Sequence, residues 1–216
     1  MTSRPSPTRR QRLAALAGLA AFVCAAPAGA GELAVAFEGG YFGLNAKDSA
    51  KAVFDGSSGG GTVGGSVRYA FDRGFYVAAG GRHFSKTGER VALTDATAPV
   101  FRLGHPLEVR LVPVYAQVGY RFRQGKRLVP HLGLGAGSTS YREESTVGGV
   151  TEESSQSKTS AHVVGGAEYG TGLLRVGAEL MYSTVPDTIG VGGVSEIYGE
   201  DDVGGLSVVG RIVLAF

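Results

Sequence analysis

Cysteine is almost missing from this chain, since its 216 residues include only Cys24. The rest of the chain therefore has no disulfide framework, no cysteine metal site and no thiol nucleophile. No apolar run reaches the ~18 residues that indicate a membrane-spanning helix. An excess of basic charge is also missing, because four of the 21 basic residues lie in the first 12 positions. The other 17 face 19 acidic residues, and this balance excludes a basic nucleic-acid binder.

Residues 1–30 have the residue order of a secretory signal peptide. An apolar run of fourteen residues, 13–26, follows the basic start and precedes the small-x-small site Ala28-Gly29-Ala30. The run is too short for a spanning helix, which needs ~20 residues. We therefore predict a signal peptide over residues 1–30, cleaved after Ala30, and one domain over residues 31–216. The basic start contains Arg4, Arg9, Arg10 and Arg12.

Apolar and polar residues alternate in eight segments of the remaining chain, as expected for strands with opposite faces. In the last segment, aliphatic residues share one face with Phe216, while the other face carries Arg211. Turn-like residues separate the segments. The predicted strands are 32–44, 61–72, 75–84, 108–122, 127–139, 160–169, 173–183 and 206–216.

The connections between these segments differ in length in a regular way. Three are short (72–74, 123–126, 170–172) and four are long (45–60, 85–107, 140–158, 184–203). We expect the long ones to be flexible and polar, as in Glu152–Lys158. A chain without a spanning helix can lie in a membrane only as a closed barrel, because an open sheet edge would leave backbone groups unpaired in lipid. The pattern predicts an all-β, eight-stranded antiparallel up-and-down transmembrane β-barrel with short periplasmic turns and four long extracellular loops.

Charged residues share a face with glycines and small residues, opposite the aliphatic face. An arginine or lysine on the lipid face costs ~2–4 kcal/mol at mid-depth, so the charged face is predicted to point inward. The ions must then pair with one another. We expect Gly133, Gly135, Gly137, Gly166 and Gly177 to make room for the long arginines. The predicted lumen charge network contains Glu38, Arg68, Arg82, Arg121, Glu168, Arg175, Glu179 and Arg211.

Aromatic residues collect near the ends of the predicted strands. This distribution is typical of the two aromatic girdles at membrane interfaces. Eight strands leave an interior that side chains fill, so an open porin channel is disfavoured. The girdle next to the short turns would contain Tyr69, Phe71, Phe75, Tyr120, Phe122, Tyr169 and Phe216, and the girdle next to the long loops Tyr41, Tyr141 and Tyr182.

The strand pattern, the signal peptide and three stretches, 114–122, 130–137 and 211–216, resemble a known group. This group is the small outer-membrane barrel superfamily of the OmpA transmembrane domain, OmpX and the opacity proteins. The resemblance implies a place in the outer membrane of a Gram-negative cell. It also implies that the barrel-assembly machinery reads the C-terminal strand, where Phe216, Leu214 and Ile212 match the assembly signal.

Other residue patterns suggest chemistry only weakly. His83-Phe84-Ser85, with Glu89 nearby, resembles the His-x-Ser of lipid A deacylases, but Lys86 replaces the usual asparagine. His131 and His162 are predicted to point inward on adjacent strands near Glu168, and we interpret them as hydrogen-bonding residues rather than metal ligands. We interpret the acidic run Glu196, Glu200, Asp201 and Asp202 as a solvated face rather than a calcium site.

We therefore expect a non-enzymatic outer-membrane barrel with a role in envelope integrity or in surface interactions through its extracellular loops. The expected partners are the outer-membrane lipids (lipopolysaccharide and phospholipid), the barrel-assembly machinery and a surface ligand bound by the loops. No nucleic acid, metal or cofactor is expected. Two alternatives remain: a barrel that modifies lipid A or handles small hydrophobic molecules, and a soluble periplasmic lipocalin-like carrier with the opposite sidedness.

Overall fold

A computed structural model describes residues 31–122, 125–190 and 193–216. The predicted signal peptide, residues 1–30, lies outside these ranges, as do two residues of the predicted turn 123–126. Across the described ranges, no helix is long and apolar enough to cross a membrane.

Eight antiparallel strands form a closed ring in which each strand pairs with its neighbours in the sequence. The first and last strands close the ring, with Glu38 opposite Arg211. The predicted fold class is therefore confirmed. The strands are β1 (Gly31–Leu44), β2 (Gly59–Phe71), β3 (Phe75–Ala92), β4 (Phe101–Arg121), β5 (Leu128–Val147), β6 (Val150–Tyr169), β7 (Leu174–Thr184) and β8 (Gly205–Ala215).

Large apolar side chains cover the outside of the ring. Phe37, Val114 and Leu134 are each about 60% exposed, at 61%, 61% and 62%. Water would penalise such a surface, whereas lipid accepts it and requires every backbone group to be paired within the ring. The alternative of a soluble lipocalin-like carrier is therefore wrong, because that fold keeps its apolar face inside.

Four strands extend far beyond the apolar band. Residues predicted as the loops 85–107 and 140–158 are mostly strand, and the predicted flexible segment Glu152–Lys158 lies within β6. These extensions (84–92, 101–111, 138–147 and 150–160) pair with one another above the ring, and we call them the extracellular sheet. The expectation was wrong because the outer ends of these strands, such as 151–159, are largely exposed on both faces and need no apolar alternation.

The other two long connections contain short helices. Residues 45–58, named L1, hold α1 (Lys47–Val53), and residues 185–204, named L4, hold α2 (Gly193–Tyr198). Both connections were predicted as long, flexible and polar loops. Helix α1 buries Ala50 and Ala52 against the mouth of the barrel.

One predicted girdle residue faces the opposite way. Tyr141 points into the barrel and is only 7% exposed, because its odd number places it on the inward face of β5. The partners predicted for it, Tyr41 and Tyr182, are exposed on the outside. At the periplasmic end, Phe75 and Tyr120 meet edge to face with ring centroids 5.2 Å apart, as expected of a girdle.

A two-residue turn joins β5 to β6 and sets their register. Gly148 and Gly149 have φ of 58° and 81°, the conformation of a type I′ hairpin turn.

Replacing both glycines by valine should fray residues 145–152, since a β-branched residue is strained at positive φ. Amide hydrogen exchange should show faster exchange in these residues only. The matched control Gly39→Ala, which adds a Cβ into open space, should leave exchange unchanged.

Candidate functional site

The periplasmic half of the lumen holds two tiers of paired ions. In the lower tier, Glu32 and Glu168 meet Arg68, Arg121 and Arg175. Arg175 Nη2 lies 2.5 Å from Glu32 Oε2, and Arg121 Nη1 lies 2.8 Å from Glu32 Oε1. Arg68 binds Glu168 with both terminal nitrogens, one of them at 2.9 Å. These strong bidentate contacts hold the arginine heads in place.

The upper tier consists of Glu38, Glu179, Arg82 and Arg211. Arg82 Nε donates to Glu38 Oε2 at 2.9 Å, and its Nη2 donates to Glu179 Oε1 at 2.6 Å. Arg211 Nη1 lies 2.6 Å from the other oxygen of Glu179 and 3.9 Å from Glu168 Oε1, so it connects the two tiers. All eight residues predicted to line the lumen thus lie in these tiers.

Glu32 belongs to the network but was not among the predicted residues. Its even number in β1 places it on the same inward face as Glu38, which was a usable signal in the sequence. It is also the most exposed of the network carboxylates, at 27%, and marks the periplasmic mouth. Two tyrosine rings supplement the ion pairs, since Arg68 and Arg82 lie 6.0 and 5.9 Å from the ring centroids of Tyr76 and Tyr115.

The lumen glycines make room mainly for rings rather than for arginines. A Cβ on Gly135 would lie 2.6 Å from His162 Cε1, and one on Gly166 would lie 2.8 Å from His131 Cε1. The expectation that glycines accommodate the guanidinium groups is therefore wrong at these positions. The barrel interior is narrow, and the inward rings of Tyr76, His131 and His162 each lie against a glycine.

The two inward histidines occupy separate positions. His131 Nε2 lies 3.4 Å from Glu179 Oε2, and His162 Nε2 lies 3.2 Å from Gln117 Oε1. Their predicted common neighbour, Glu168, is the primary partner of neither. Among the described residues, no group of three histidine, cysteine or acidic side chains is arranged to hold a metal ion.

An apolar cluster closes the extracellular end of the lumen, which the sequence-based expectation of an ionic interior missed. Inward side chains of several strands pack with α1 into a plug. Between the plug and the upper ion tier lies a cavity of about 40 Å³. This volume holds a few water molecules at most and is too small for a sugar or a lipid chain. The plug consists of Phe42, Leu44, Ala50, Phe54, Phe84, Val109, Leu111, Tyr141, Val185 and Val203.

L1 and L4 lock each other over the plug. The carboxylate of Glu200 accepts the backbone N–H groups of Asp48 and Ser49 at 3.0 and 2.8 Å, at the start of α1. Asp202 accepts the side-chain amide of Asn45 at 3.0 Å. Two of the four acidic residues interpreted as a solvated face therefore hold the plug closed. Carboxylates at a helix start also suit its free N–H groups.

The His-x-Ser segment does not have the geometry of a catalytic triad. His83 and Ser85 face outward, but the Ser85 hydroxyl donates directly to Glu108 Oε1 at 2.6 Å. In a triad the histidine lies between the serine and the acid. The predicted acid, Glu89, instead pairs with Arg102, so the sequence-based grouping of His83, Ser85 and Glu89 is wrong.

The four arginines of the extracellular sheet are all paired with carboxylates. Arg110 binds both oxygens of Glu108 at 2.7 Å, and Arg90 lies 2.9 Å from Glu152. Arg102 contacts Glu89 and Asp55 in the same way. Arg142 serves two carboxylates, those of Glu144 and Glu153. The sheet is therefore highly charged yet has no unpaired guanidinium group.

The residues of the predicted assembly signal lie together on the outward face of β8. Ile212 and Phe216 are 54% and 68% exposed, and Leu214 lies between them. The backbone of Phe216 also pairs with Leu33 of β1, since its N–H donates to the Leu33 carbonyl at 2.7 Å. The C-terminal residue therefore takes part in closing the ring at the periplasmic rim.

Comparison with known proteins agrees with this geometry. The model of the "Outer membrane protein beta-barrel domain" family matches residues 14–197, and this chain therefore belongs to that family of outer-membrane barrels. The protein is located in the outer membrane. No curated relative matches the chain.

Solved structures of similar fold share little sequence with the chain. Neisserial surface protein A is 15% identical with a TM-score of 0.55, and the match covers 86% of this chain and 97% of that one. Ail of Yersinia pestis, solved with the heparin analogue sucrose octasulfate, is 13% identical with a TM-score of 0.52, covering 86% and 99%. A major outer-membrane protein of Thermus thermophilus is 11% identical with a TM-score of 0.56, covering 87% and 100%.

The lumen network predicts a large stability effect at Glu179. Glu179→Gln removes a charge shared by Arg82 and Arg211, so the barrel should lose about 3 kcal/mol of unfolding free energy. Denaturant titration of the refolded protein in micelles, followed by circular dichroism, measures this loss. The matched control Glu153→Gln, on an exposed ion pair, should cost less than about 1 kcal/mol. Equal effects at the two sites would contradict the buried network.

Proposed function

We propose that this protein is a non-enzymatic surface-interaction barrel whose extracellular sheet binds a partner outside the cell. The observation that supports it most is the sheet itself, in which four strands extend about ten residues beyond the apolar band. The inner ends of these strands contribute Phe84, Val109, Leu111 and Tyr141 to the plug, whereas neither lipid nor the lumen requires their outer ends. Binding residues often stand on such projections, held in place by a rigid scaffold.

The chemistry of the sheet favours a polypeptide partner. Ail was solved with a heparin analogue, which makes a sulfated sugar the first comparison. A sulfated ligand is bound best by cationic groups that are free of carboxylates, and the four sheet arginines described above are each paired with a carboxylate. The outward hydroxyl and carboxylate groups of β6 favour a peptide partner over a sulfated sugar.

The absence of an enzymatic role is also part of this proposal. The Ser85 hydroxyl donates to Glu108 rather than to His83, so no imidazole is placed to activate it. The small lumen cavity leaves no room for a lipid chain. We therefore favour surface binding over lipid A modification and over the handling of small hydrophobic molecules.

Export and assembly complete the proposal. Residues 1–30 serve as a cleaved signal peptide, and the outer-membrane lipids, lipopolysaccharide and phospholipid, contact the apolar band. The barrel-assembly machinery reads Ile212, Leu214 and Phe216 at the end of β8. The outward position of these residues and the pairing of Phe216 with Leu33 support this role.

Shortening the extracellular sheet should abolish surface binding and leave the barrel intact. In the test variant, residues 88–107 and 144–153 are each replaced by Asn-Gly. Cells that display this variant should adhere to surfaces coated with serum proteins at least tenfold less than cells with the wild-type protein. Heat-modifiable migration on gels controls for barrel folding. Unchanged adhesion would contradict the proposal, as would binding to heparin beads that sucrose octasulfate competes away.

Deleting Phe216 should block assembly, because the chain loses its terminal aromatic and one closing contact of the ring. We expect the heat-modifiable band in the outer-membrane fraction to fall at least tenfold, whereas Phe216→Tyr should assemble normally. The intact mass of the wild-type protein from that fraction should correspond to a chain beginning at Gly31. Normal assembly of the deletion variant would rule out the assembly signal.

A further inference from the structure

The extracellular sheet leaves one strand edge open. Strand β6 pairs with β5 along its whole length, but its pairing with β7 begins only at Ala161, opposite Thr184. Throughout the described residues, no backbone hydrogen bond reaches 151–159 from any element other than β5. Nearly all of these residues are exposed. L4 contacts this stretch where Gln156 donates to the Thr188 carbonyl.

The hairpin turn determines which backbone groups of β6 are free. In a two-residue type I′ hairpin the flanking residues, here Val147 and Val150, exchange both hydrogen bonds. Hydrogen-bonded and non-hydrogen-bonded pairs then alternate along the ladder. The backbone N–H and C=O groups of the even-numbered residues of β6 therefore bond to β5. The even-numbered Gly170, directly after β6, follows the same rule, since its N–H donates to the carbonyl of Arg127, directly before β5. The odd-numbered residues Thr151, Glu153, Ser155, Ser157 and Thr159 direct their N–H and C=O groups toward the open edge.

The opposite edge of the same sheet is covered. Strand β3 leaves β2 after Phe84, but L1 packs against its continuation. A Cβ on Gly88 would overlap the carbonyl oxygen of Val53, which shows how closely the two backbones approach. Lys86 donates to the Ser57 hydroxyl at 2.6 Å. Covering an edge prevents unwanted strand pairing, and this protein does so at β3 and not at β6.

We propose that residues 151–159 of β6 form a strand-addition site for an extended polypeptide segment that carries a basic residue opposite Glu153. This inference rests on the proposed function and specifies its partner. Backbone hydrogen bonds to the odd-numbered residues supply the binding, as in other cases of strand addition. The basic residue is favoured because the single guanidinium of Arg142 serves both Glu144 and Glu153, and opposite charges across strands attract.

A second copy in the same membrane does not fit this edge. Two barrels related by an axis along the membrane normal would both direct β6 toward the periplasm, which excludes an antiparallel ladder. Their strands, tilted by ~35–45°, would also cross at a steep angle instead of pairing. A segment that arrives from outside the membrane plane has neither constraint.

The site can be tested on the mature barrel refolded in micelles. The probe is a fluorescein-labelled decapeptide of alternating threonine and valine with two lysines, and its binding is measured by fluorescence anisotropy. The variant Ser155→Pro/Ser157→Pro removes two edge N–H groups but none that bonds to β5. We expect its affinity to be at least tenfold weaker than wild type. The matched control Ser155→Thr/Ser157→Thr keeps both N–H groups and should bind like wild type.

Two further measurements do not depend on the folding of the proline variant. A probe N-methylated at every residue, which keeps no N–H group on either edge, should not bind the wild-type barrel. A probe with glutamate in place of lysine should bind at least tenfold more weakly. Amides of residues 153, 155 and 157 should exchange quickly in the free protein and become protected with the lysine probe.

Absence of lysine-probe binding, equal binding of the N-methylated probe, or unchanged exchange at the odd-numbered residues would overturn the site. If the sheet-shortened cells lose adhesion while the proline variant keeps it, the surface function stands and the strand-addition site is wrong.

Discussion

The requirement that no backbone hydrogen-bonding group be left unpaired in lipid determines the architecture of this protein. Within the apolar band, that requirement closes eight strands into a ring, because any free edge there would cost several kcal/mol per group. Above the band, water satisfies free groups, and the requirement no longer applies. Strands β3 to β6 continue there as an open sheet with two edges. Strands β3 to β6 thus belong to a closed ring where they contact lipid and to an open sheet where they contact water.

A related constraint acts inside the ring, where side chains must be compatible with a narrow, largely dry space. Arginine and glutamate are tolerated in the periplasmic half because each is bound by at least one opposite charge. The extracellular half satisfies the constraint differently, with a plug in which Phe84 and Leu111 are almost fully buried. The periplasmic end of the lumen, at Glu32, is therefore ionic, whereas the extracellular end, beneath L1, is apolar.

Period-two alternation was sufficient to predict the strands that contact lipid, because the lipid forces each outward residue to be apolar. It placed Arg175 and Arg211 inward, where the structure has them. The same rule applied to Glu32 and Tyr141 would have placed both inside, since each has the parity of its inward neighbours. The extracellular sheet was missed because Glu152 and Glu153 lie on opposite faces that both meet water, which leaves no alternation to read. The partner of Ser85 was also unpredictable, since Glu108 lies on another strand and only the strand register brings them together.

The lock between L1 and L4 has a consequence for the order in which the molecule matures. Helix α1 occurs early in the chain, yet its first N–H groups are bound by Glu200, and Asn45 is held by Asp202, both only about fifteen residues from the C-terminus. Because Glu200 and Asp202 lie in L4, which connects β7 to β8, the plug can close only after L4 has folded over L1.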